Sequence, residues 1–145
     1  MIKNTDLVIL AGGYGTRIRS ISKKLPKALI EIDNFPLIDY LLMNIAKYKF
    51  KKIYIIAGYK GNLVKKKYHN KKLNLTQIEV FVEKKPQGTA KALYFLRKKL
   101  INNFILVNGD TIFNVNLVDF YNHSLKKNTK ICSIALCTNK VNNYN

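Results

Sequence analysis

The segment Leu7-Val8-Ile9-Leu10-Ala11-Gly12-Gly13-Tyr14-Gly15-Thr16-Arg17 contains the most informative pattern in this sequence. A short apolar run leads directly into three glycines, which predicts a buried strand followed by a tight loop. Glycine lets the backbone approach a ligand closely and turn its N–H groups toward it. Thr16 and Arg17 add a hydroxyl and a permanent cation, both donors to phosphate oxygens. We therefore predict a phosphate-binding loop.

Two common phosphate-binding motifs do not fit this loop. A P-loop has Lys-Ser or Lys-Thr after its last glycine, whereas this sequence has Thr16-Arg17 there. The dinucleotide-binding pattern Gly-x-Gly-x-x-Gly fails because Ile18 stands at the position of its third glycine. On the glycines alone, an ordinary strand-to-helix turn is an equally good interpretation.

The composition is that of a folded domain with a large excess of positive charge. The chain has 145 residues, of which 48% are hydrophobic, and this is long enough to form a core. Lys and Arg outnumber Asp and Glu by 26 to 8, so the formal net charge is +18. A solvated lysine-rich surface is the simpler explanation, and a polyanionic partner is the alternative. The clearest lysine cluster is Lys65, Lys66 and Lys67 with Lys71 and Lys72.

Several features predict a reduced, cytoplasmic protein. No apolar run has membrane-spanning length, and the N-terminus has no signal-peptide pattern. Cys132 and Cys137 lie an odd number of residues apart on one predicted strand, so their side chains should point to opposite faces without forming a disulfide. His69 and His123 have no carboxylate or cysteine company, and we expect surface positions without a metal role.

Hydrophobic periodicity divides the chain into strands that alternate with helices. This alternation predicts one domain over residues 1–145 with an α/β fold, a Rossmann-like three-layer sandwich around a mostly parallel sheet. After the first strand, residues 28–32 are predicted as a short strand or an extended piece, and the further predicted strands are 53–57, 78–83, 104–107 and 131–136. The predicted helices are 36–48 with a lysine-rich end to Lys52, 61–68, 89–100 and 117–126, the last capped by Asn116 and Asp119.

Polar residues follow the ends of several predicted strands. In parallel α/β sheets, ligands bind beyond the carboxyl ends of the strands, near the reversal of strand order. Residues 83–89 follow the third buried strand and Asn108-Gly109-Asp110 follow the fourth. Pro26 prevents a helix from running through and places Lys27 on a stiff segment. Asp110 either pairs with a lysine or holds a divalent metal against phosphates. We predict that these groups converge on one crevice.

Four motifs in this order resemble those of the nucleotidyltransferases that make nucleotide sugars. They are Leu10–Arg17, Pro26-Lys27, Glu83-x-x-Pro86-x-Gly88-Thr89-Ala90 and Asn108-Gly109-Asp110. The resemblance is greatest to the D-glycero-D-manno-heptose 1-phosphate guanylyltransferase branch, which shares details such as Arg19-Ser20. It covers nearly the whole chain.

The resemblance implies transfer of a nucleotidyl group from an NTP to a sugar 1-phosphate, with pyrophosphate as the second product. A sugar-phosphate oxygen would attack the α-phosphorus, and the protein would mainly position groups and neutralise charge. Arg17, Lys27 and Asp110 would be catalytic, Lys27 at the α-phosphate and Asp110 as the Mg²⁺ ligand. The implied nucleotide-binding residues are Leu10, Ala11, Gly12 and Gly13 along the base and ribose, Gly15 and Thr16 with Arg17 at the β- and γ-phosphates, and Glu83, Pro86, Gly88 and Thr89 on the base side.

Glu83 bears on the choice of base. A carboxylate only accepts hydrogen bonds, and guanine presents its N1–H and 2-amino donors side by side. Uracil and thymine present one N–H between two carbonyl oxygens, which repel a carboxylate. We therefore favour GTP, with GDP-heptose as the product implied by the resemblance. The alternative is that Glu83 faces solvent and pairs with Lys84 or Lys85.

The resemblance also sets an expectation about completeness. Members of this family continue beyond the matched segment, through a sugar-binding half with a second metal-binding aspartate. We therefore expect the nucleotide-binding part of such an enzyme, whose exposed edge and core face are covered by a second copy or a complementing chain. The expected partners are an NTP and a sugar 1-phosphate, and neither a membrane nor nucleic acid. A basic nucleic-acid-binding module and a non-catalytic nucleotide-binding fragment stay open as alternatives.

Overall fold

A computed structural model of the chain describes residues 2–13, 25–85, 88–127 and 132–136. It consists of two compact units, Met1–Ile112 and Phe113–Asn145. The elements in chain order are β1 (Asp6–Ala11), β2 (Glu31–Ile32), β3 (Phe35–Pro36), α1 (Leu37–Ile45), β4 (Ile53–Ala57), α2 (Gly61–Tyr68), β5 (Lys72–Leu73), β6 (Thr76–Val82), α3 (Thr89–Phe95), β7 (Phe104–Asn108) and, in the second unit, α4 (Leu117–Lys126).

The first unit is built on a five-stranded sheet with the order β5-β6-β4-β1-β7. The strands β6, β4, β1 and β7 are parallel, and only β5 runs antiparallel to its neighbour. Along the chain, β4 and β6 are added to β1 in one direction across the sheet, and β7 is then added on the opposite side of β1. The reversal lies between β1 and β7, which is where ligands bind in sheets of this kind. The predicted α/β fold with a mostly parallel sheet is confirmed.

The central strands are apolar on both faces because helices cover both sides. On one face, the start of α2 packs on Ala57 of β4 and Val82 of β6. On the other face, Tyr54 and Ile56 of β4 form a buried cluster with residues of α3. Alternate strand residues point to opposite faces, so α2 and α3 lie on opposite sides of the sheet. Ala92, Leu96 and Val8 complete the α3 cluster, and the buried residues of α1 are Ile38, Leu41, Leu42 and Ile45.

Several predicted elements match the structure, and others are corrected. The strand at 53–57 and the helices at 61–68 and 117–126 have the predicted bounds. The Asn116 side chain caps α4 by accepting hydrogen bonds from the N–H groups of Val118 and Asp119. The helix predicted from Pro36 to Tyr48 is shorter, because Pro36 belongs to β3 and helical hydrogen bonding ends at Ile45.

The other corrections concern short or irregular segments. A 3-10 turn occupies Lys27–Leu29 and only Glu31–Ile32 is strand, paired with β3 through a turn in which Asp33 and Asn34 have positive φ. The helix predicted to end at Leu100 ends at Phe95. The strand predicted over 131–136 is wrong for residues 132–136, which have no regular secondary structure; residue 131 lies outside the described residues. The antiparallel strand β5 was not predicted.

His69 differs from the surface residue that the sequence predicts. Its Nδ1 accepts a hydrogen bond from the N–H of Val80 at 3.0 Å. Cys132 is an exposed free thiol, and Cys137 lies outside the described residues. Within the described ranges, none of the helices has the length and apolar character needed to cross a membrane.

Asp6 is a buried carboxylate at the beginning of β1. It is 8% exposed, and its Oδ1 has no hydrogen-bond partner among the described residues. Burial raises the pKa of Asp6, and the charges of Lys51 and Lys52 oppose this shift in part. A raised pKa in the folded state means that ionisation favours the unfolded chain. Asp6 therefore lowers stability as pH rises above the ordinary value of 3.8.

We expect Asp6→Asn to change the pH dependence of stability. The free energy of unfolding of the variant, relative to that of the original protein, should increase as pH rises from about 4 to about 7, because only the original chain ionises a buried carboxylate. Urea unfolding followed by circular dichroism at several pH values measures this difference. Asp33→Asn, at an exposed turn position, is the matched control. If the difference in unfolding free energy between Asp6→Asn and the original protein is constant across this pH range, the pKa of Asp6 is not raised by burial.

Candidate functional site

The four parallel strands end at the same edge of the sheet. Pairing of Ala11 with Ala57, of Ala57 with Val82, and of Leu10 with Asn108 aligns their carboxyl ends. The loops that follow therefore begin next to one another. Their first residues, across the sheet, are Glu83, Gly58, Gly12 and Gly109. Three glycines and one carboxylate thus line the edge where the sequence places its phosphate-binding loop.

The glycines are required by the close approach of these backbones. A Cβ on Gly58 would overlap the carbonyl oxygen of Gly12 and lie 2.9 Å from its Cα. A Cβ on Gly109 would lie 3.0 Å from the carbonyl oxygen of Leu10, to which the Gly109 N–H donates a hydrogen bond of 2.7 Å. Gly58 is a site residue that we did not predict. Its only signal in the sequence is its position directly after a buried strand.

Glu83 is buried in this edge. Its N–H donates a 2.8 Å hydrogen bond to the carbonyl oxygen of Ala57, which continues the sheet by one bond. The residue is 7% exposed, and a Cβ on Gly12 would lie 2.9 Å from Glu83 Oε2. The other oxygen, Oε1, has no hydrogen-bond partner among the described residues, and burial raises the pKa of the carboxyl. The alternative of a solvent-facing Glu83 paired with Lys84 or Lys85 is therefore wrong.

A buried carboxylate oxygen without a donor is costly, on the order of 1–3 kcal/mol for an unsatisfied polar group. Such groups in native proteins are normally satisfied by the protein, by water or by a ligand. The Oε1 atom of Glu83 is thus an acceptor available for a donor that enters from outside the described residues. No cation neutralises it within the described residues, so it can accept a hydrogen bond from a ligand or take up a proton.

Lys27 and Asp110 form an ion pair at the same edge, with 2.6 Å between Nζ and Oδ2. Lys27 begins a 3-10 turn directly after Pro26, which is in extended conformation. Asp110 follows Gly109, and its Oδ1 accepts a 3.3 Å hydrogen bond from Thr111. The hydrogen bond from Lys27 lowers the pKa of Asp110. The two side chains are 34% and 43% exposed, so a ligand can reach both.

The structure brings most of the predicted site residues to this edge. Leu10 and Ala11 end β1, Gly12 and Gly13 follow it, and Glu83, Lys27 and Asp110 lie as described above. Gly88, at a φ of 89°, and Thr89 begin α3, directly after the segment that follows β6. Their functional roles stay predictions. The predicted residues Gly15, Thr16, Arg17 and Pro86 lie outside the described residues.

We expect Gly58→Ala and Gly13→Ala to differ in stability. The Gly58 variant should lose about 1–3 kcal/mol of unfolding free energy, because its methyl group meets backbone atoms of Gly12 that cannot move aside freely. The Gly13 variant should stay within about 0.5 kcal/mol, since no described atom lies within 4 Å of a Cβ there. Urea unfolding measures both. Equal stability of the two variants would contradict the close approach.

Two curated nucleotidyltransferases are among the proteins to which this chain is similar. The Campylobacter jejuni D-glycero-alpha-D-manno-heptose 1-phosphate guanylyltransferase is 31% identical over 138 residues, which is 94% of this chain and 60% of that protein. The Haloferax volcanii UTP–glucose-1-phosphate uridylyltransferase AglF is 30% identical over 112 residues, 77% of this chain and 46% of that protein. The chain thus spans about half to three fifths of the length of these relatives.

Comparison with solved structures also finds proteins that are similar to this chain. The structure of HddC from Yersinia pseudotuberculosis complexed with GMP-PN superposes with a TM-score of 0.71 at 30% identity, over 83% of this chain and 54% of that one. Residues 7–145 match the Nucleotidyl transferase family, a range that includes all of β1 except Asp6 and all the site residues described above. The chain therefore belongs to the Nucleotidyl transferase family.

Proposed function

We propose that the chain binds a Mg²⁺–NTP, with GTP preferred, at the carboxyl edge of its sheet and transfers the nucleotidyl group to a sugar 1-phosphate. The Lys27–Asp110 ion pair beside the Gly12, Gly58 and Gly109 backbones is the observation that supports this most directly. It sets a cation and a carboxylate, accessible to a ligand, where closely packed glycines let a phosphate chain approach. The names of the similar proteins, which include a guanylyltransferase and a uridylyltransferase, point to the same class of reaction.

The proposed chemistry depends on charge and position more than on proton transfer. A sugar-phosphate oxygen attacks the α-phosphorus of the NTP, the bond from that phosphorus to the β-phosphate oxygen breaks, and pyrophosphate leaves. Lys27 neutralises charge that develops at the α-phosphate, and Arg17 binds the departing β- and γ-phosphates through a planar guanidinium. When Lys27 moves from Asp110 to the phosphate, the Oδ2 atom of Asp110 loses its ion-pair partner and is free to bind another group.

Asp110 is the residue proposed to hold Mg²⁺. Within the described residues there is no group of three His, Cys, Asp or Glu side chains that forms a metal site by itself. A single carboxylate still fits this ion, because Mg²⁺ often binds through one or two carboxylates with the remaining oxygens supplied by phosphates and water. When bound, Mg²⁺ supplies further neutralisation of phosphate charge. Asp110 therefore fits a metal ion whose other ligands come from a nucleotide and from water.

The buried Glu83 supports guanine as the base. Its free Oε1 and its Oε2 together accept two hydrogen bonds, which matches the adjacent N1–H and 2-amino donors of guanine. A heptose 1-phosphate is the acceptor named in the Campylobacter relative, and we propose it as the acceptor here, with GDP-heptose as the product. We propose that residues corresponding to the unmatched part of these relatives supply the rest of the acceptor site.

Lys27→Ala and Arg17→Ala should each weaken NTP binding by at least about tenfold, because each removes a charge-assisted hydrogen bond to a phosphate. The triple variant K65Q/K66Q/K67Q should bind NTP nearly as well as the original chain, since these lysines lie at the C-terminal end of α2. Isothermal titration calorimetry with GTP and Mg²⁺ compares them. If the triple variant loses more affinity than Lys27→Ala, general attraction to polyanions explains the binding and the nucleotide site does not.

Glu83→Gln should change the choice of base. An amide accepts one hydrogen bond and donates another, which suits the N–H and carbonyl of uracil or thymine better than two donors in a row. We expect the preference for GTP over UTP to fall by about tenfold or more, equivalent to ~1.4 kcal/mol. Titration with each of the four NTPs measures this ratio. Glu79→Gln, at a surface ion pair outside the site, is the control, and an unchanged ratio in Glu83→Gln would exclude Glu83 from base recognition.

A further inference from the structure

The amino edge of the sheet, opposite the candidate site, gathers three lysine-bearing segments. Helices α1 and α2 follow strands or loops at the carboxyl edge and run back, so both end at the amino edge. The start of α2 packs on Ala57 and Val82, whereas Asn70, beyond its end, donates to the carbonyl oxygen of Ile78. The loop after α1 reaches the same edge, because the Lys51 N–H donates to the carbonyl oxygen of Thr5, just before β1.

Hydrogen bonds join these segments into one surface. The turn between β5 and β6 is attached to the loop after α1: Asn74 Nδ2 donates to the Ala46 carbonyl and Thr76 Oγ1 to the Phe50 carbonyl, both at 3.0 Å. The end of α2 is attached to β5, because the Lys71 N–H donates to the carbonyl oxygen of Tyr68. We name this surface the basic pole; its exposed lysines are Lys47, Lys49, Lys51, Lys65, Lys66, Lys67, Lys71 and Lys72.

The charge of the basic pole is not neutralised locally. Residues 46–52 and 60–76 contain no Asp or Glu. None of the lysines of the basic pole forms an ion pair with a described residue; the nearby carboxylate of Glu79 is paired with Lys52 and Lys99 instead. Asp6 at the same edge is buried, and Asp39 accepts a hydrogen bond from the Tyr68 hydroxyl. The pole therefore presents a dense array of free positive charge to solvent.

An apolar side chain projects from the same surface. Leu75 is 92% exposed, in the tight β5–β6 turn that Asn74 forms at a φ of 53°. The turn follows Lys71 and Lys72 in the chain, and the hydrogen bond from Asn74 to Ala46 attaches it to the loop that carries Lys47 and Lys49. A leucine surrounded by lysines suits a lipid surface, where the cations meet anionic headgroups and the apolar side chain enters the acyl boundary. A single-stranded nucleic acid is instead bound on exposed aromatic rings, and Tyr68 here is buried.

We propose that the basic pole docks on an anionic membrane surface through its lysines and Leu75. Docking in this way leaves the carboxyl edge, with Lys27 and Asp110, turned away from the lipid and open to small substrates. This association is peripheral and needs no spanning segment, and it departs from the sequence-based expectation that a membrane is not a partner. It is independent of the proposed nucleotide chemistry, because the two sites lie at opposite edges of the sheet.

The test is sedimentation of the full chain with vesicles of phosphatidylcholine that contain about a quarter phosphatidylglycerol. The protein should bind these vesicles, should not bind pure phosphatidylcholine vesicles, and should be released as salt rises. K65Q/K66Q/K67Q should bind on the order of 100-fold more weakly, from about fivefold per lysine. The matched variant K84Q/K85Q/K91Q loses the same charge from exposed positions outside the pole and should bind nearly normally.

Two further variants make the outcome decisive. Leu75→Ser leaves the charge unchanged and should weaken vesicle binding several-fold, whereas Lys27→Ala should lose NTP binding and keep vesicle binding. Equal losses in the two triple variants would overturn the proposal in favour of a general charge effect, and so would a Leu75→Ser variant with full binding. Tighter binding of an RNA or DNA oligonucleotide than of vesicles at the same salt concentration would assign the pole to nucleic acid instead.

Discussion

Where β1 and β4 end, the backbones of Gly12 and Gly58 come so close that a Cβ on Gly58 would overlap the Gly12 carbonyl oxygen. On the other side of β1, the Gly109 N–H donates a hydrogen bond to the Leu10 carbonyl oxygen. These close backbone contacts position the site carboxylates, because Glu83 Oε2 lies 2.9 Å from where a Cβ on Gly12 would stand and Asp110 follows Gly109. Any side chain at Gly58 would have to move the loop that the nucleotide is proposed to contact.

The pKa values of the two carboxyl groups at this edge, Asp110 and Glu83, are shifted in opposite directions. Asp110 is accessible and paired with Lys27, so its pKa is lowered and it stays ionised. Glu83 is buried, with no cation paired to it among the described residues, and burial raises its pKa. The two carboxyls lie at opposite ends of the row of parallel strands, because β4 and β1 separate β6 from β7. Different environments commonly give carboxyl groups different functions, which agrees with the separate roles that we propose for Asp110 and Glu83.

The same division of charge extends over the first unit. At the carboxyl edge, Lys27 is matched by a carboxylate, and the fit to a nucleotide depends on that match. At the amino edge, the lysines of the basic pole have no acidic partners among the described residues, apart from what Asp6 contributes at a distance. The described charges of the first unit therefore differ between its two edges, in agreement with the small polyanion proposed at one edge and the anionic surface proposed at the other.

The sequence by itself determined the fold class, the strand at 53–57, the helices at 61–68 and 117–126 with the Asn116 cap, and the meeting of Lys27 with Asp110. These features follow from periodicity, from capping residues, and from the rule that the carboxyl ends of parallel strands share an edge. Only the tertiary structure decided that Glu83 is buried, that position 58 must be glycine, that His69 accepts a backbone hydrogen bond, and that Leu75 stands exposed among lysines. The β2–β3 hairpin and β5 were also evident only from the tertiary structure, because a strand of two residues is too short to show an alternating hydrophobic pattern. Each of these depends on which distant segments come into contact, and local sequence patterns report only on neighbours within a few residues.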